Sequence, residues 1–166
     1  MNNYQGRTFI QLRYLFSFAV KHMCDLWHVH VPDNIPGAHI MVTILVVDDS
    51  AFQRKILSNT LAATGYQVIT ADNGEAGIEK ALGSKPDVII TDLLMPEFDG
   101  FWVLEQMKAK KIKIPVIVVT SDVQTSTKND CQKKGAVAFL NKPAKKEDLQ
   151  SAIRSALAGG IHESCR

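Results

Sequence analysis

Four apolar stretches of the sequence lead to polar side chains that could take part in metal or phosphate chemistry. Asp48 and Asp49 follow the first stretch, Asp92 and Thr120 end two others, and Lys142 comes shortly after the last. Stretches rich in β-branched residues predict strands buried on both faces, as in a parallel sheet. In open α/β sheets, ligands bind beyond the carboxyl ends of the strands. We therefore expect these five side chains to surround one shallow pocket.

The residue types in this pocket suit the transfer of a phosphoryl group. Several carboxylates held together repel one another unless a cation neutralises them, and Mg²⁺ with oxygen ligands is a natural choice. Lys142 would add a positive charge and Thr120 a hydroxyl donor, both of which stabilise a phosphoryl group in transfer. A carboxylate facing this array can act as the nucleophile and form an aspartyl phosphate.

Each of these residues also has a simpler explanation when it is considered alone. Asp48 and Asp49 could interact with the dipole of the helix that follows them. Asp92 could begin a turn, Lys142 could be a surface charge, and Thr120 could cap a helix. Their joint placement at four predicted strand ends favours a common site over four unrelated roles.

Five strands alternating with five helices must position this pocket. Apolar runs predict strands at residues 42–47, 66–70, 87–91, 114–119 and 136–140. Capping and turn residues predict helices that begin after Ser50, Asn73 and Gly100, after Ser121 or Asp122, and at about residue 146. This alternation predicts an α/β fold with a doubly wound parallel sheet.

Helical spacing also predicts which side chains of three of the helices pack against the sheet. The predicted buried positions are Phe52, Ile56, Leu57 and Leu61 on the first helix, Ala76, Ile78 and Leu82 on the second, and Leu149, Ile153 and Leu157 on the last.

Composition narrows the class of protein. The chain has 166 residues, of which 46% are apolar and 22% charged, as in ordinary globular proteins. A net charge of +2 gives no reason to expect nucleic acid or an anionic membrane as the main partner. No apolar run approaches the roughly 20 residues of a membrane span, and no secretory signal is evident. Three cysteines without paired spacing indicate reduced thiols, and we expect a cytoplasmic location.

Residues 1–40 differ from the rest of the chain. An amphipathic helix is predicted at about 8–27, followed by a linker rich in proline and glycine. The segment holds four histidines and Cys24, but their spacing fits no standard zinc pattern. The helix could lie on a membrane surface or a partner, or the segment could precede a natural start at Met41. We expect an extension at 1–40, a domain at 41–160 and a short tail at 161–166.

The motifs at the strand ends resemble those of the receiver domains of two-component response regulators, in particular single-domain members of the chemotaxis type. They are Val-Val-Asp-Asp-Ser at 46–50, Thr-Asp-Leu-Leu-Met-Pro-Glu-Phe-Asp-Gly at 91–100, Val-Val-Thr-Ser at 118–121 and Phe-Leu-Asn-Lys-Pro at 139–143. The resemblance covers about residues 42–158. It implies a flavodoxin-like fold with strand order 2-1-3-4-5.

The resemblance assigns a role to each residue of the pocket. Asp92 would be the phosphoacceptor, and Mg²⁺ would be held by Asp48, Asp49, the side chain of Asp92 and the backbone carbonyl of Leu94. Thr120 would reorient towards the phosphoryl group, and Lys142 would pair with it. The peptide bond between Lys142 and Pro143 would be cis, which only a bond preceding proline allows at low energy. Leu94 and Asp122 would tune the lifetime of the phosphate.

The resemblance further implies a phosphorylation-dependent signalling switch. A histidine kinase or a phosphotransfer protein would donate the phosphoryl group, docking on the first helix through Ala51, Phe52 and Arg54. Phe139, where many members carry tyrosine, would turn inward and remodel a face formed by helix 4, strand 5 and helix 5. A downstream protein would contact that face through Val123, Lys128, Gln132 and Ala138. Alternatively, the output would be onward phosphotransfer in a phosphorelay.

Two other functions are open at this point. A phosphatase of the haloacid dehalogenase type also forms an aspartyl phosphate, but its Asp-x-Asp motif after the first strand is missing, as is an insertion that could cover a substrate. An interaction module that works without phosphorylation is the other alternative, and the acidic cluster argues against it because it would destabilise such a protein without benefit. Nucleotide binding is disfavoured because neither the GxxxxGK[ST] nor the GxGxxG motif occurs.

Overall fold

The computed structural model describes residues 41–122 and 124–159 of the chain. Its strands are β1 (Thr43–Val47), β2 (Gln67–Ala71), β3 (Val88–Thr91), β4 (Val116–Thr120) and β5 (Ala138–Asn141). Its helices are α1 (Ala51–Ala62), α2 (Gly74–Ser84), α3 (Gly100–Ala109), α4 (Thr125–Lys134) and α5 (Lys146–Leu157). The predictions for residues 1–40, for Val123 and for the tail at 161–166 lie outside the described residues.

All five strands are parallel and form one sheet in the order β2-β1-β3-β4-β5. The predicted α/β fold, a flavodoxin-like doubly wound sheet of order 2-1-3-4-5, is confirmed. The three central strands are almost fully buried, whereas β2 lies at an edge and is half-exposed. Among the described residues, no helix is both long and apolar enough to cross a bilayer.

Each face of the sheet carries its own hydrophobic layer. Leu45 and Val47 of β1 point to the side covered by α2, α3 and α4, and Ile44 and Val46 point to the side covered by α1 and α5. This alternation follows from the period of two in a strand. Because every helix returns the chain to the start of the next strand, the carboxyl ends of all five strands share one edge of the sheet.

Side-chain caps fix the start of three helices at this edge. The side chains of Ser50, Asn73 and Asp99 accept hydrogen bonds from backbone N–H groups at the starts of α1, α2 and α3. The prediction that Ser121 or Asp122 caps the fourth helix is wrong. Helix α4 starts at Thr125 with Gln124 at the cap position, because the Asp122 carboxylate instead accepts from the Gln124 N–H at 2.9 Å and forms a separate turn.

Four predicted core side chains are exposed. Phe52 is 71% exposed, and Ile56, Leu82 and Leu157 are each at least 41% exposed. On α1, Leu57 and Leu61 define the stripe that meets the sheet, and Phe52 and Ile56 form a second stripe more than 90° away around the helix. Leu82 and Leu157 each follow a buried alanine by one position, which turns them away from the sheet. The remaining predicted core positions are buried or half-buried.

The hydroxyl of Ser58 on α1 is buried without a hydrogen-bond partner among the described residues. We expect Ser58→Ala to raise the free energy of unfolding by about 0.5–1.5 kcal/mol, because it removes an unpaired polar group and favours the helix. Urea unfolding measures this change. Ser155→Ala on α5 is the control for helix propensity alone. A loss of stability in the Ser58 variant would show that the hydroxyl has a partner.

Candidate functional site

Asp92 continues the line of β3 at the carboxyl edge of the sheet. Its backbone N–H donates to the carbonyl of Val47 at 2.9 Å, which ties it to the end of β1. Its Oδ1 accepts from the N–H of Leu93 at 2.6 Å and of Leu94 at 3.3 Å. The side chain is nearly buried. These bonds fix the orientation of the carboxylate and leave Oδ2 directed at a second group.

That second group is the ammonium of Lys142, which follows β5. Its Nζ lies 2.6 Å from Asp92 Oδ2 and 2.7 Å from Asp48 Oδ2. The Lys142 N–H also donates to the carbonyl of Thr120 at 2.8 Å, which joins the ends of β4 and β5. Partial burial alone would lower the pKa of Lys142, but the hydrogen bonds and charges of the two aspartates outweigh it and raise the pKa. The cis peptide bond predicted between Lys142 and Pro143 is present.

Asp48 and Asp49 lie in the short connection between β1 and α1. Asp48 is buried, and its Oδ1 accepts from the Ser50 N–H at 2.8 Å. Arg54, one turn into α1, donates to the backbone carbonyls of Asp48 at 2.6 Å and of Asp49 at 3.0 Å. Asp49 itself is exposed. The guanidinium therefore holds the connection in place, a role that the sequence did not indicate.

One carboxylate oxygen each from Asp48, Asp49 and Asp92 lies within 4.8 Å of the other two. Three carboxylates face a single ammonium group, so their charge is only partly neutralised. A hard divalent ion prefers oxygen ligands of this kind, and Mg²⁺ commonly binds through a few carboxylates while keeping several of its waters. The donor set therefore fits the predicted ion. The carbonyl of Leu94 as a further ligand remains a prediction.

Thr120 ends β4 and is fully buried. Its Oγ1 accepts from the Asp122 N–H at 3.3 Å. Asp122 in turn accepts from the Gln124 N–H and the Thr127 hydroxyl, which lower the pKa of Asp122. Because β4 pairs with β3 in parallel, Thr120 lies at the same edge of the sheet as Asp92. Its reorientation towards a phosphoryl group remains a prediction.

Two predictions about the signalling face need correction. Ala138 cannot contact a partner directly, because this residue of β5 is fully buried beneath α5. Phe139 is only 6% exposed and already packs in the layer that includes Cys131 of α4. An inward turn is therefore not needed to bury this ring. Lys128 is half-buried and Gln132 is exposed, so both remain accessible.

The residues predicted to dock a phosphodonor lie at the start of α1. Ala51 and Phe52 are exposed, and Arg54 is half-buried by its bonds to the preceding connection. The exposure that contradicts a core position for Phe52 is compatible with a docking role.

Two glycines, Gly100 and Gly74, allow close packing against the backbone of the β3–α3 connection, a role that the sequence did not indicate. A Cβ on Gly100, the first residue of α3, would lie 2.2 Å from the backbone oxygen of Asp92 and 2.8 Å from the Cα of Leu93. A Cβ on Gly74 would lie 2.4 Å from the backbone oxygen of Phe98 in the same β3–α3 connection. Close backbone approach therefore shapes the segment that carries Asp92.

Comparisons with known proteins agree with this geometry. Residues 44–154 match the family described as the response regulator receiver domain. The chain is 39% identical over 121 residues to protein PilH of Pseudomonas aeruginosa, and the match covers 72% of this chain and 100% of PilH. It is 32% identical over 114 residues to the alkaline phosphatase synthesis transcriptional regulatory protein PhoP of Bacillus subtilis, covering 69% of this chain and 48% of PhoP. The chain thus spans about half the length of that regulator.

Solved structures show the same relationship. A response regulator receiver domain protein from Clostridium thermocellum superposes with a TM-score of 0.68 at 29% identity, covering 72% of this chain and 96% of the other. The chemotaxis protein CheY4 of Vibrio cholerae superposes with a TM-score of 0.65 at 33% identity, covering 70% of this chain and 99% of CheY4. The chain therefore belongs to the response regulator receiver domains, the signalling modules of two-component systems.

Proposed function

We propose that Asp92 accepts a phosphoryl group and that this transfer switches the domain between two signalling states. The observation that carries the proposal is the Lys142 ammonium group, which lies within hydrogen-bond distance of Asp48 and Asp92 beside a third carboxylate. This arrangement supplies a nucleophile together with fixed positive charge, the two requirements of phosphoryl transfer to a side chain.

In the proposed step, an oxygen of the Asp92 carboxylate attacks the phosphorus of a phosphohistidine on a histidine kinase or phosphotransfer protein. A P–O bond forms as the P–N bond breaks, and the electron pair leaves with the donor nitrogen while the other ring nitrogen keeps its proton. Lys142 then pairs with a phosphoryl oxygen. The hydroxyl of Thr120 donates to another, which draws the end of β4 towards β3.

Mg²⁺ would be held by Asp48, Asp49, Asp92 and the carbonyl of Leu94, and when bound it would neutralise charge on the phosphoryl oxygens. Without the ion, the same carboxylates repel an incoming phosphate.

Incubation with acetyl phosphate followed by intact-mass measurement tests the proposal. We expect one phosphoryl group per chain with Mg²⁺ and none with a chelator. Equal uptake under both conditions would contradict the role of the ion.

Asp49→Asn is expected to make the domain more stable without Mg²⁺ and to weaken its binding of the ion. Without divalent ions, we expect the variant to raise the free energy of unfolding by about 1 kcal/mol, because one of three mutually repelling carboxylates loses its charge. Mg²⁺ should stabilise the wild type markedly and the variant much less, since only the wild type keeps the full ligand set. Urea unfolding with and without Mg²⁺ measures both effects.

Glu79→Gln is the matched control for this experiment. Glu79 is an exposed carboxylate on α2, away from the cluster, so its loss removes the same charge without altering the site. We expect its response to Mg²⁺ to equal that of the wild type. If Asp49→Asn responds to Mg²⁺ as the wild type does, Asp49 is not a ligand.

The exposed stripe on α1 supports docking of the phosphodonor at this helix. Phe52 and Ile56 lie one turn apart and present apolar surface beside the connection that holds Asp48 and Asp49. Phe52→Ala is expected to slow transfer from a phosphohistidine donor by about tenfold, as for a side chain that anchors an interface. Uptake from acetyl phosphate, which needs no docking, should stay within about twofold of wild type.

Leu82→Ala, an exposed leucine on α2, serves as the control and should change neither rate. An equal loss with both phosphodonors in Phe52→Ala would mean that the ring supports the pocket and does not bind the partner.

The signal would leave the domain through protein contacts on α4, β5 and α5, or through onward phosphotransfer. Because α4 buries only Cys131 among its described side chains, it is the helix least firmly held and best able to shift.

A further inference from the structure

Six lysines are concentrated at the end of the domain opposite the aspartate cluster. They are located at the end of α3, in the α3–β4 connection and in the last turn of α4, and are Lys108, Lys110, Lys111, Lys113, Lys133 and Lys134. We call this set the basic surface. Because helices α3 and α4 both run away from the carboxyl edge of the sheet, their final turns lie at the far edge from Asp92. The Lys134 side chain extends back along α3, where it pairs with Glu105 and approaches the Phe101 ring.

The basic surface contains a cleft between α3 and α4. The cleft has a volume of about 320 Å³ and is lined by Glu105, Lys108, Asp130, Lys133 and Lys134. Lys134 pairs with Glu105, and the Lys133 ammonium lies 3.4 Å from the Asp130 carboxylate. Both carboxylates belong to the wall of the cleft, which has three lysines and two acidic residues and a formal charge of +1. The six lysines of the basic surface, taken with the same two acidic residues, have a formal charge of +4.

The favourable interaction of cations with helix dipoles explains why some of these lysines are present, but not all of them. Cations near the carboxyl end of a helix are stabilising, which accounts for Lys108, Lys133 and Lys134. Lys111 and Lys113 lie beyond the end of α3, where the dipole no longer acts on them. Neither these two nor Lys108 and Lys110 form an ion pair within residues 41–122 and 124–159.

We propose that the basic surface binds an acidic segment of a partner protein, whose carboxylates pair with Lys108 in the cleft and with Lys110, Lys111 and Lys113 beside it. Within the cleft, Lys133 and Lys134 already pair with Asp130 and Glu105, whereas Lys108 forms no ion pair among the described residues. Lys108, Lys110, Lys111 and Lys113 lie on α3 and its connection, so their pairs with the partner do not require a shift of α4, whereas Lys133 and Lys134 would move with that helix. The proposal does not rest on the chemistry assigned to Asp92.

Other anionic partners fit the surface less well. Nucleic acid recognition commonly uses arginine forks and aromatic rings for stacking, but the surface carries no arginine, and the Phe101 ring already lies 5.9 Å from the Lys134 ammonium. A bilayer is flat, whereas the cleft is concave. Nor does the surface offer an apolar group for insertion, because Ile112 and Ile114 pack against the core.

Binding of a fluorescent decaglutamate peptide to the full chain tests this proposal. We expect saturable binding at low salt that weakens as the salt concentration rises. A variant in which Lys108, Lys110, Lys111 and Lys113 are replaced by glutamine should bind at least about tenfold more weakly, because four exposed ion pairs, each weak alone, are lost together. These side chains are exposed, so the variant should fold normally, as thermal unfolding will verify.

The matched control replaces Lys55, Lys80, Lys145 and Lys146, which are exposed lysines elsewhere on the domain, by glutamine. It has the same net charge as the first variant and should bind the peptide within about twofold of wild type. Equal weakening in both variants would overturn the proposal in favour of a general charge effect. Tighter binding of a single-stranded oligothymidylate, or of vesicles with one third anionic lipid, would overturn it in favour of nucleic acid or membrane.

Discussion

Asp92→Asn is expected to abolish phosphoryl uptake from acetyl phosphate, reducing the phosphorylated fraction to background. The amide cannot act as the nucleophile that forms an acyl phosphate, and it carries no charge to pair with Lys142. The fold should survive, because the side-chain oxygen of asparagine can still accept from the N–H groups of Leu93 and Leu94. Intact-mass measurement after reaction with acetyl phosphate and Mg²⁺ gives the result directly.

Asp87→Asn is the matched control for this loss. Asp87 precedes β3 at the opposite edge of the sheet, where its carboxylate accepts from the Thr43 N–H at 2.8 Å. The same chemical change at the other end of the same strand should leave uptake unchanged. If Asp92→Asn takes up acid-labile phosphate as well as the wild type does, the assignment of Asp92 as phosphoacceptor is wrong.

Gly100→Ala is expected to lower the free energy of unfolding by about 3 kcal/mol and to reduce phosphoryl uptake in the molecules that remain folded. The added methyl group would lie 2.2 Å from the backbone oxygen of Asp92. Backbone atoms cannot yield as a flexible side chain can, so either α3 or the segment that carries Asp92 must move. Urea unfolding measures the stability, and acetyl phosphate uptake at a temperature well below the unfolding midpoint measures the site.

Gly83→Ala separates this steric effect from the general consequences of replacing a helical glycine. A Cβ at Gly83, on α2, would meet no atom within 4 Å. This variant should gain about 0.5–1 kcal/mol of stability, because alanine loses less conformational entropy than glycine in a helix. If Gly100→Ala unfolds at the same denaturant concentration as the wild type, the close approach is relieved without cost and the site is less tightly constrained than proposed.

Much of the fold could be predicted from the sequence because local signals agree with the tertiary structure. Each apolar run became a strand, and Ser50 and Asn73 cap the helices that follow them. Gly135 ends α4 in a left-handed conformation, which glycine adopts without steric strain. The meeting of the strand ends follows from parallel pairing alone, whereas the strand order was implied by the family resemblance.

Other features depend on contacts that no local pattern encodes. Phe52 and Ile56 have helical spacing, but the sheet covers a different stripe of α1. Ala138 was expected to contact a partner, but it is buried because α5 packs over β5. Helix α4 begins later than expected, at Thr125, because the Asp122 carboxylate accepts from the Gln124 N–H and forms a turn before the helix.

The roles of Arg54 and Gly100 were also beyond the reach of sequence patterns. Arg54 bonds backbone carbonyls in the preceding connection, and the helical position of an arginine does not reveal such a contact. Gly100 was expected only to precede a helix, yet its missing side chain makes room for the backbone of Asp92. Both residues position the acidic cluster without belonging to it.

The most direct test of the account is to locate the phosphoryl group after reaction of the wild-type chain with acetyl phosphate and Mg²⁺. Borohydride reduces an aspartyl phosphate to homoserine, and peptide mass spectrometry then identifies the modified position. We expect homoserine at Asp92 and at no other aspartate. Homoserine at Asp48 or Asp49, or a phosphoryl group recovered only on another residue type, would contradict it.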